Sequence, residues 1–272
     1  MENVVVSGSF DNIQSREVRF LEESARLGPV HVCLWSDPVV KVLTGADAKF
    51  PLQERKYFLE AIRYVHKVWI VEELSDLNEL PQIEGLNPGM WIVPENDDSA
   101  AKQQYCTAHG VHYQVIKEAF LKELTDEAKD TDRTSSNRKV LVTGCFDWFH
   151  SGHVRFFEET AQLGDLYVVV GHDENVRLLK GDDHPLFSQE ERRYMVGAIR
   201  FVKQALISTG SGWMDAEPEI EAIKPDMYVV NEDGDKPEKQ EFCGQRGLGY
   251  VVLKRAPAKG LPRRESTHLR GF

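Results

Sequence analysis

The sequence predicts an α/β protein in which one domain is written twice, each copy a parallel sheet of about five strands flanked by helices. Three observations predict it. The chain repeats itself: residues 20–37, FLEESARLGPVHVCLWSD, return as residues 156–173, FFEETAQLGDLYVVVGHD, at an offset of 136. Glu54-Arg55-Lys56-Tyr57 and Ala61-Ile62-Arg63-Tyr64-Val65 return as Glu191-Arg192-Arg193-Tyr194 and Ala198-Ile199-Arg200-Phe201-Val202 at an offset of 137, and Gln104-Tyr105-Cys106 returns as Glu241-Phe242-Cys243. An offset this constant marks a duplication. Within each copy, β-rich runs alternate with helical spacing, the pattern of a parallel sheet covered on both faces. The length of 272 residues also allows two domains at roughly 150 residues each.

The elements of the second copy can be justified in order. Residues 140–146 form a β-rich run with Gly144 near its end and Asp147 just after it. Residues 153–163 place Val154, Phe157 and Ala161 at helical spacing, and Gly164 fits a helix C-terminal cap. Residues 166–171 are continuously apolar, as in a strand buried on both faces. Residues 189–202 read as helix, 205–208 as a short strand, 217–223 as a short helix, and 227–230 and 250–253 as two more strands. Residues 125–138, TDEAKDTDRTSSNR, contain no large apolar side chain and read as a solvated linker between copies at 1–124 and 139–272.

Composition limits the function. A net charge of −11 argues against a nucleic-acid binder, which needs a basic footprint, and against a polybasic membrane anchor. No run of 18 apolar residues is present, and Met1-Glu2-Asn3 does not begin a signal peptide, so a cytoplasmic protein without a transmembrane segment is expected. The four cysteines, Cys33, Cys106, Cys145 and Cys243, form no CxxC pair, which points to reduced packing thiols rather than zinc or disulfides.

Chemistry concentrates after the strand at 140–146. There the chain reads Gly144-Cys145-Phe146-Asp147-Trp148-Phe149-His150-Ser151-Gly152-His153. A strand ends and a helix opens near Gly152, and a helix N-terminus attracts phosphate through its unpaired N–H groups. His150 and His153 sit on that first turn as candidate cationic donors to phosphate oxygens, and Gly152 leaves room for a nucleotide to approach the backbone.

This segment resembles the HxGH signature of the cytidylyltransferase-like nucleotidyltransferases, and the resemblance covers both copies. It implies two tandem Rossmann-like HxGH nucleotidyltransferase domains. Leu179-Lys180-Gly181 followed by Pro185-Leu186-Phe187-Ser188-Gln189-Glu190-Glu191-Arg192-Arg193-Tyr194 is similar to a segment of the ethanolamine-phosphate cytidylyltransferases. The resemblance assigns catalysis to His150, His153 and Lys180. It assigns nucleotide binding to Gly144, Cys145, Phe146, Asp147, Gly152, Asn231, Asp233, Arg255, Ser266 and Thr267, the last two within Arg264-Glu265-Ser266-Thr267-His268-Leu269-Arg270. Arg192 either binds phosphate or pairs with a helix acid. Asp147 is the candidate carboxylate near the acceptor phosphate or near Mg²⁺, which rides on the nucleoside triphosphate.

The implied reaction moves CMP from CTP onto a phosphomonoester such as ethanolamine phosphate, with CTP ahead of ATP. Residues 179–185 also resemble the LKGD-x-x-P segment of heptose-phosphate adenylyltransferases, which makes an ATP-dependent sugar-phosphate enzyme the alternative; a non-catalytic nucleotide-binding regulator is another. The first copy has Gln14, Arg16 and Glu17 where the second has His150, Gly152 and His153, and Thr44 in place of Lys180. It is expected to be catalytically degenerate and to complete an internal pseudo-dimer, with a homo-oligomer as a further option.

Overall fold

The computed structural model describes residues 2–74, 76–125 and 138–269. Most of the expected linker, and Arg270, lie outside the described residues. Residues up to Leu124 form one compact unit and those from Thr125 onward another. No described helix is long and apolar enough to cross a membrane.

The first unit runs β1 (Val4–Gly8), α1 (Ser15–Ala25), β2 (Val30–Trp35), α2 (Asp37–Thr44), α3 (Leu52–Ala61), β3 (Val65–Val71), β4 (Met90–Pro94), α4 (Ala100–His109), β5 (His112–Ile116) and α5 (Glu118–Lys122). The second runs β6 (Lys139–Gly144), α6 (Ser151–Thr160), β7 (Asp165–Val170), α7 (Asp173–Lys180), α8 (Gln189–Gly197), β8 (Val202–Ile207), α9 (Glu217–Ile223), β9 (Met227–Asn231), α10 (Pro237–Arg246) and β10 (Gly249–Leu253). Each unit holds one five-stranded sheet, ordered β3-β2-β1-β4-β5 in the first and β8-β7-β6-β9-β10 in the second. All pairings are parallel.

The central strands explain the continuous apolar runs. Val4, Val5 and Val6 of β1 and Val140, Leu141 and Val142 of β6 are fully buried, so residues on both faces of the pleat meet helices or loops. Each such side chain contributes roughly 1.5–3 kcal/mol by leaving water. In the second unit Leu141, Val169, Ile220, Tyr228, Phe242 and Cys243 form one cluster; Val5, Cys33, Trp91, Val93 and Cys106 play the same part in the first. The four cysteines are free thiols.

Three sequence expectations need correction. Gly164 does not cap α6, which ends on Ala161 in the right-handed region. A Cβ at Gly164 would lie 2.5 Å from the Arg138 carbonyl, so glycine is required there by the close approach of the chain entering β6. Gly28 stands under the same constraint from the Glu2 carbonyl. The helix expected through Val202 stops at Gly197, and Val202 opens β8. Helices α7 and α10 were not anticipated; each buries only two residues, Asn175 and Val176 in α7 and Phe242 and Cys243 in α10.

Candidate active site

In an open parallel sheet, a ligand crevice lies beyond the carboxyl ends of the strands where strand order reverses. In the second unit that point falls between β6 and its neighbour β9. A cleft of about 220 Å³ opens there, with Thr143–Trp148 on one side, Val230, Asn231, Asp233 and Gly234 on the other, and His153, Lys180, His184, Lys239 and Ser266 around it.

The turn leaving β6 is built around Phe146, whose backbone takes a left-handed φ of 54°. A Cβ on Gly144 would collide with the Phe146 ring at 2.7 Å, so Gly144 makes the turn possible. Phe146 is buried and meets His153 edge-on at 5.3 Å. Its main part is to back the histidine, although its edge also borders the cleft. Phe10 repeats the turn in the first unit with a φ of 45°.

Helix α6 opens with a reciprocal cap made by the two histidines. Gly152 N–H donates to His150 Nδ1 at 3.0 Å, and His150 N–H donates to His153 Nδ1 at 3.3 Å. Both Nδ1 atoms are acceptors, so in each neutral ring the proton sits on Nε2. Burial, reinforced by Arg255 and Arg264, pulls the His150 pKa down to about 3. His153 is held well below its usual value by burial, by His150 and by Arg255 and Lys180. The expectation of two cationic histidines is therefore corrected: they are neutral donors. Among the described residues, His150 Nε2 and Trp148 Nε1 are buried without a hydrogen-bond partner. His153 borders the cleft, while His150 stacks behind it.

Gly152 also has a different reason from the one expected. A Cβ there would lie 2.8 Å from the His150 ring. The glycine makes room for the folded-back imidazole. In the first unit Gln14 N–H donates to Glu17 at 3.1 Å, so the cap survives with different chemistry. Arg16 there is engaged by Glu118 and Glu17.

Two assignments become structural. Arg192 is 1% exposed. Its guanidinium donates to the carbonyls of Phe187 at 3.0 Å, Cys145 at 2.6 Å and Gly171 at 2.8 Å, and to Asp173 at 2.7 Å. It ties three loops together and is not available to phosphate; the helix-acid alternative is the one realised. Arg55 repeats the set on Phe50, Ser9, Trp35 and Asp37, which explains why the first copy keeps it. Asp147 accepts from the N–H groups of Leu186 at 2.8 Å and Phe187 at 3.0 Å and faces His184 at 3.4 Å. That carboxylate pins the loop before α8, as Asp11 does with Lys49 and Phe50. Among the described residues no group of three His, Cys, Asp or Glu side chains is placed to hold a metal ion.

The remaining residues divide between the two edges of the site. Cys145 borders the cleft, and burial raises its thiol pKa, so it is no thiolate nucleophile. Lys180 ends α7 exposed at the cleft. Asp233 pairs with Arg255 at 2.6 Å, and Arg255 also donates to the Arg264 carbonyl at 3.2 Å. Asn231, Gly152, Arg255 and Arg264 line a smaller depression beside α6. Ser266 Oγ donates to the Trp148 carbonyl at 3.3 Å. The side chain of Thr267 lies outside the described residues. Sequence reasoning missed Trp148, His184 and Lys239 as wall residues. For Lys239 a signal existed: it repeats Lys102 at the 137-residue offset.

Comparison with known proteins agrees with this geometry. The cytidylyltransferase-like family matches residues 141–270. The FAD synthase of Aciduliprofundum boonei is 35% identical over 119 residues, covering 43% of this chain and 76% of that protein. The FAD synthase of Thermococcus kodakarensis is 40% identical over 123 residues, covering 43% and 78%. The bifunctional protein HldE of Nitratiruptor sp. is 32% identical over 140 residues, covering 50% of this chain and 28% of that protein. The chain belongs to the cytidylyltransferase-like family and is a nucleotidyltransferase. These relatives are FAD synthases and an HldE protein, not ethanolamine-phosphate cytidylyltransferases, so the finer resemblance drawn from the 179–194 segment is not the one they support.

Proposed function

We propose that the second unit transfers an adenylyl group from ATP to a phosphomonoester, joining the two phosphates and releasing pyrophosphate. The observation that carries this reading is the pair of neutral histidines at the start of α6, each with its Nδ1 spent on a backbone N–H, so that the ring proton sits on Nε2, with His153 bordering the cleft. The choice of ATP over CTP rests on the similarity to FAD synthases. FAD is an adenylyl group joined through a pyrophosphate to a phosphomonoester, and that product has the form this reaction makes.

The chain's own groups suffice for positioning and charge stabilisation. The α6 N-terminus offers backbone dipoles to the triphosphate. His153, at the cleft, donates its Nε2–H to the triphosphate oxygens without gaining or losing a proton, and His150 backs its ring. Lys180 supplies positive charge where the α-phosphorus gathers a fifth oxygen. The attacking phosphomonoester has a second pKa of about 6, so it is largely ionised at neutral pH and needs no general base. Bond formation from its oxygen to the α-phosphorus is balanced by departure of pyrophosphate. Magnesium enters as part of the nucleotide substrate.

The test is a panel: ATP and CTP, each with FMN, a sugar 1-phosphate and ethanolamine phosphate, followed by pyrophosphate release and product mass. Turnover with ATP exceeding that with CTP is expected. Faster turnover of CTP with ethanolamine phosphate, or no pyrophosphate from any pair, overturns the reading.

A further inference from the structure

The two copies treat one lysine in opposite ways. Their alignment here is anchored by a repeated contact: Tyr113 donates to Asp98 at 2.8 Å, and Tyr250 donates to Asp235 at 2.9 Å. Lys102 and Lys239 are equivalent at the 137-residue offset, on α4 and α10. Each lies over the ring of the preceding strand, Lys102 at 5.7 Å from Trp91 and Lys239 at 5.8 Å from Tyr228.

Their partners differ. Lys102 Nζ bonds the Asp97 carboxylate at 2.7 Å and the Asp97 carbonyl at 2.8 Å. The residue equivalent to Asp97 is Gly234. A Cβ at Gly234 would lie 3.9 Å from Lys239 Nζ, so a carboxylate there would be in reach. The acids near Lys239 are already engaged, Asp233 by Arg255 and Asp235 by Gln240 and Tyr250. Among the described residues, Lys239 makes no ion pair or hydrogen bond, and its ammonium borders the cleft. Burial lowers its pKa, the mark of a cation without an adequate counter-charge.

We propose that Lys239 binds the phosphate of the acceptor, the glycine at 234 leaving its ammonium for a phosphomonoester dianion where the first copy neutralises it internally. This rests on the nucleotidyl-transfer reading for the identity of the acceptor. The assignment to the acceptor follows from placement. The groups for the triphosphate come from the β6 side, on α6 and at the end of α7, whereas Lys239 comes from the β9 side beside Asn231 and Gly234. It is a ligand that neither the HxGH segment nor the Lys180 segment contains.

The test uses the full chain and two titrations: magnesium α,β-methylene-ATP, then inorganic phosphate with and without that analogue. Lys239→Met and Gly234→Asp are compared with wild type. The second variant keeps the lysine and offers it the carboxylate of the first copy, so it reads the charge without a deletion in the wall. Phosphate affinity should fall at least about tenfold in both, analogue affinity should stay within about twofold, and Gly234→Asp should melt no lower than wild type. Unchanged phosphate affinity in both variants, a matching loss of analogue affinity, or no phosphate binding by wild type overturns the proposal. Failure of wild type to bind the analogue, with phosphate binding still dependent on Lys239, instead removes adenylyl transfer and leaves the anion subsite standing.

Discussion

The imidazoles of His150 and His153 stack with centroids 4.0 Å apart, each with Nδ1 turned onto a backbone N–H of the same helical turn. The pair caps the helix, and the cap requires neutral rings because each Nδ1 accepts a backbone N–H. Each folded-state pKa is depressed, so the unfolded chain binds more protons once pH falls below the ordinary histidine value of 6.5. Stability from this source is complete above that pH and is lost on acidification, for His150 down to about 3. The slope is up to about 1.4 kcal/mol per pH unit for each histidine. Urea midpoints of the second unit between pH 7 and 5 should fall in wild type and fall less steeply in His150→Gln. Parallel acid limbs for the two proteins would falsify the assignment of neutral rings.

The second prediction separates cap from chemistry. His153→Ala removes the acceptor for His150 N–H and the Nε2–H donor together. Loss of a cap costs about 1 kcal/mol, while loss of a preorganised donor to developing charge costs roughly a hundredfold or more in kcat. Expected, then, is a small fall in thermal midpoint with a collapse in pyrophosphate release. Activity surviving within about threefold would show that the donor is not used.

Arg192 and Arg55 should behave as structural twins. Replacing either with Ala removes the donor to several loop carbonyls and to one aspartate, Asp173 or Asp37. Removing one member of a buried charged network costs about 3–5 kcal/mol. Protease resistance of the affected unit should drop sharply in Arg192→Ala and, separately, in Arg55→Ala. If Arg192→Ala instead folds normally and loses only nucleotide affinity, the arginine belongs to the ligand.

The duplicated α/β architecture was legible because the 20–37 and 156–173 segments share both a buried strand and a helix face. The helix opening at HSGH was legible too, since strand, turn and helix leave distinct local patterns. What each side chain does there was not. HxGH, Arg192 and Asp147 occur together in the sequence, and proximity in sequence cannot tell a donor facing a cleft from one folded back onto carbonyls. The first copy held the distinguishing information. It keeps Arg55 and Asp11, which hold loops as Arg192 and Asp147 do, and lacks the histidines and Lys180, of which His153 and Lys180 border the cleft. The exchange of Asp97 for Gly234 carries no signal alone; it acquires meaning only with Lys102 and Lys239 in place beside it.

Asp147 supplies the last prediction. Its carboxylate takes both N–H groups of Leu186 and Phe187, and Asp11 takes those of Lys49 and Phe50. A half-buried amide without an acceptor costs about 1–3 kcal/mol, so Asp147→Ala, which strands two, and Asp11→Ala, which strands the Phe50 amide beside the exposed Lys49 one, should both lower the thermal midpoint of their own unit. A loop anchor and a metal ligand then part company in the magnesium titration. For an anchor, the magnesium concentration giving half-maximal nucleotide binding stays within about threefold of wild type in Asp147→Asn, which still presents one oxygen to both amides. A rise of tenfold or more in that concentration, with the thermal midpoint unmoved, would return Asp147 to the metal.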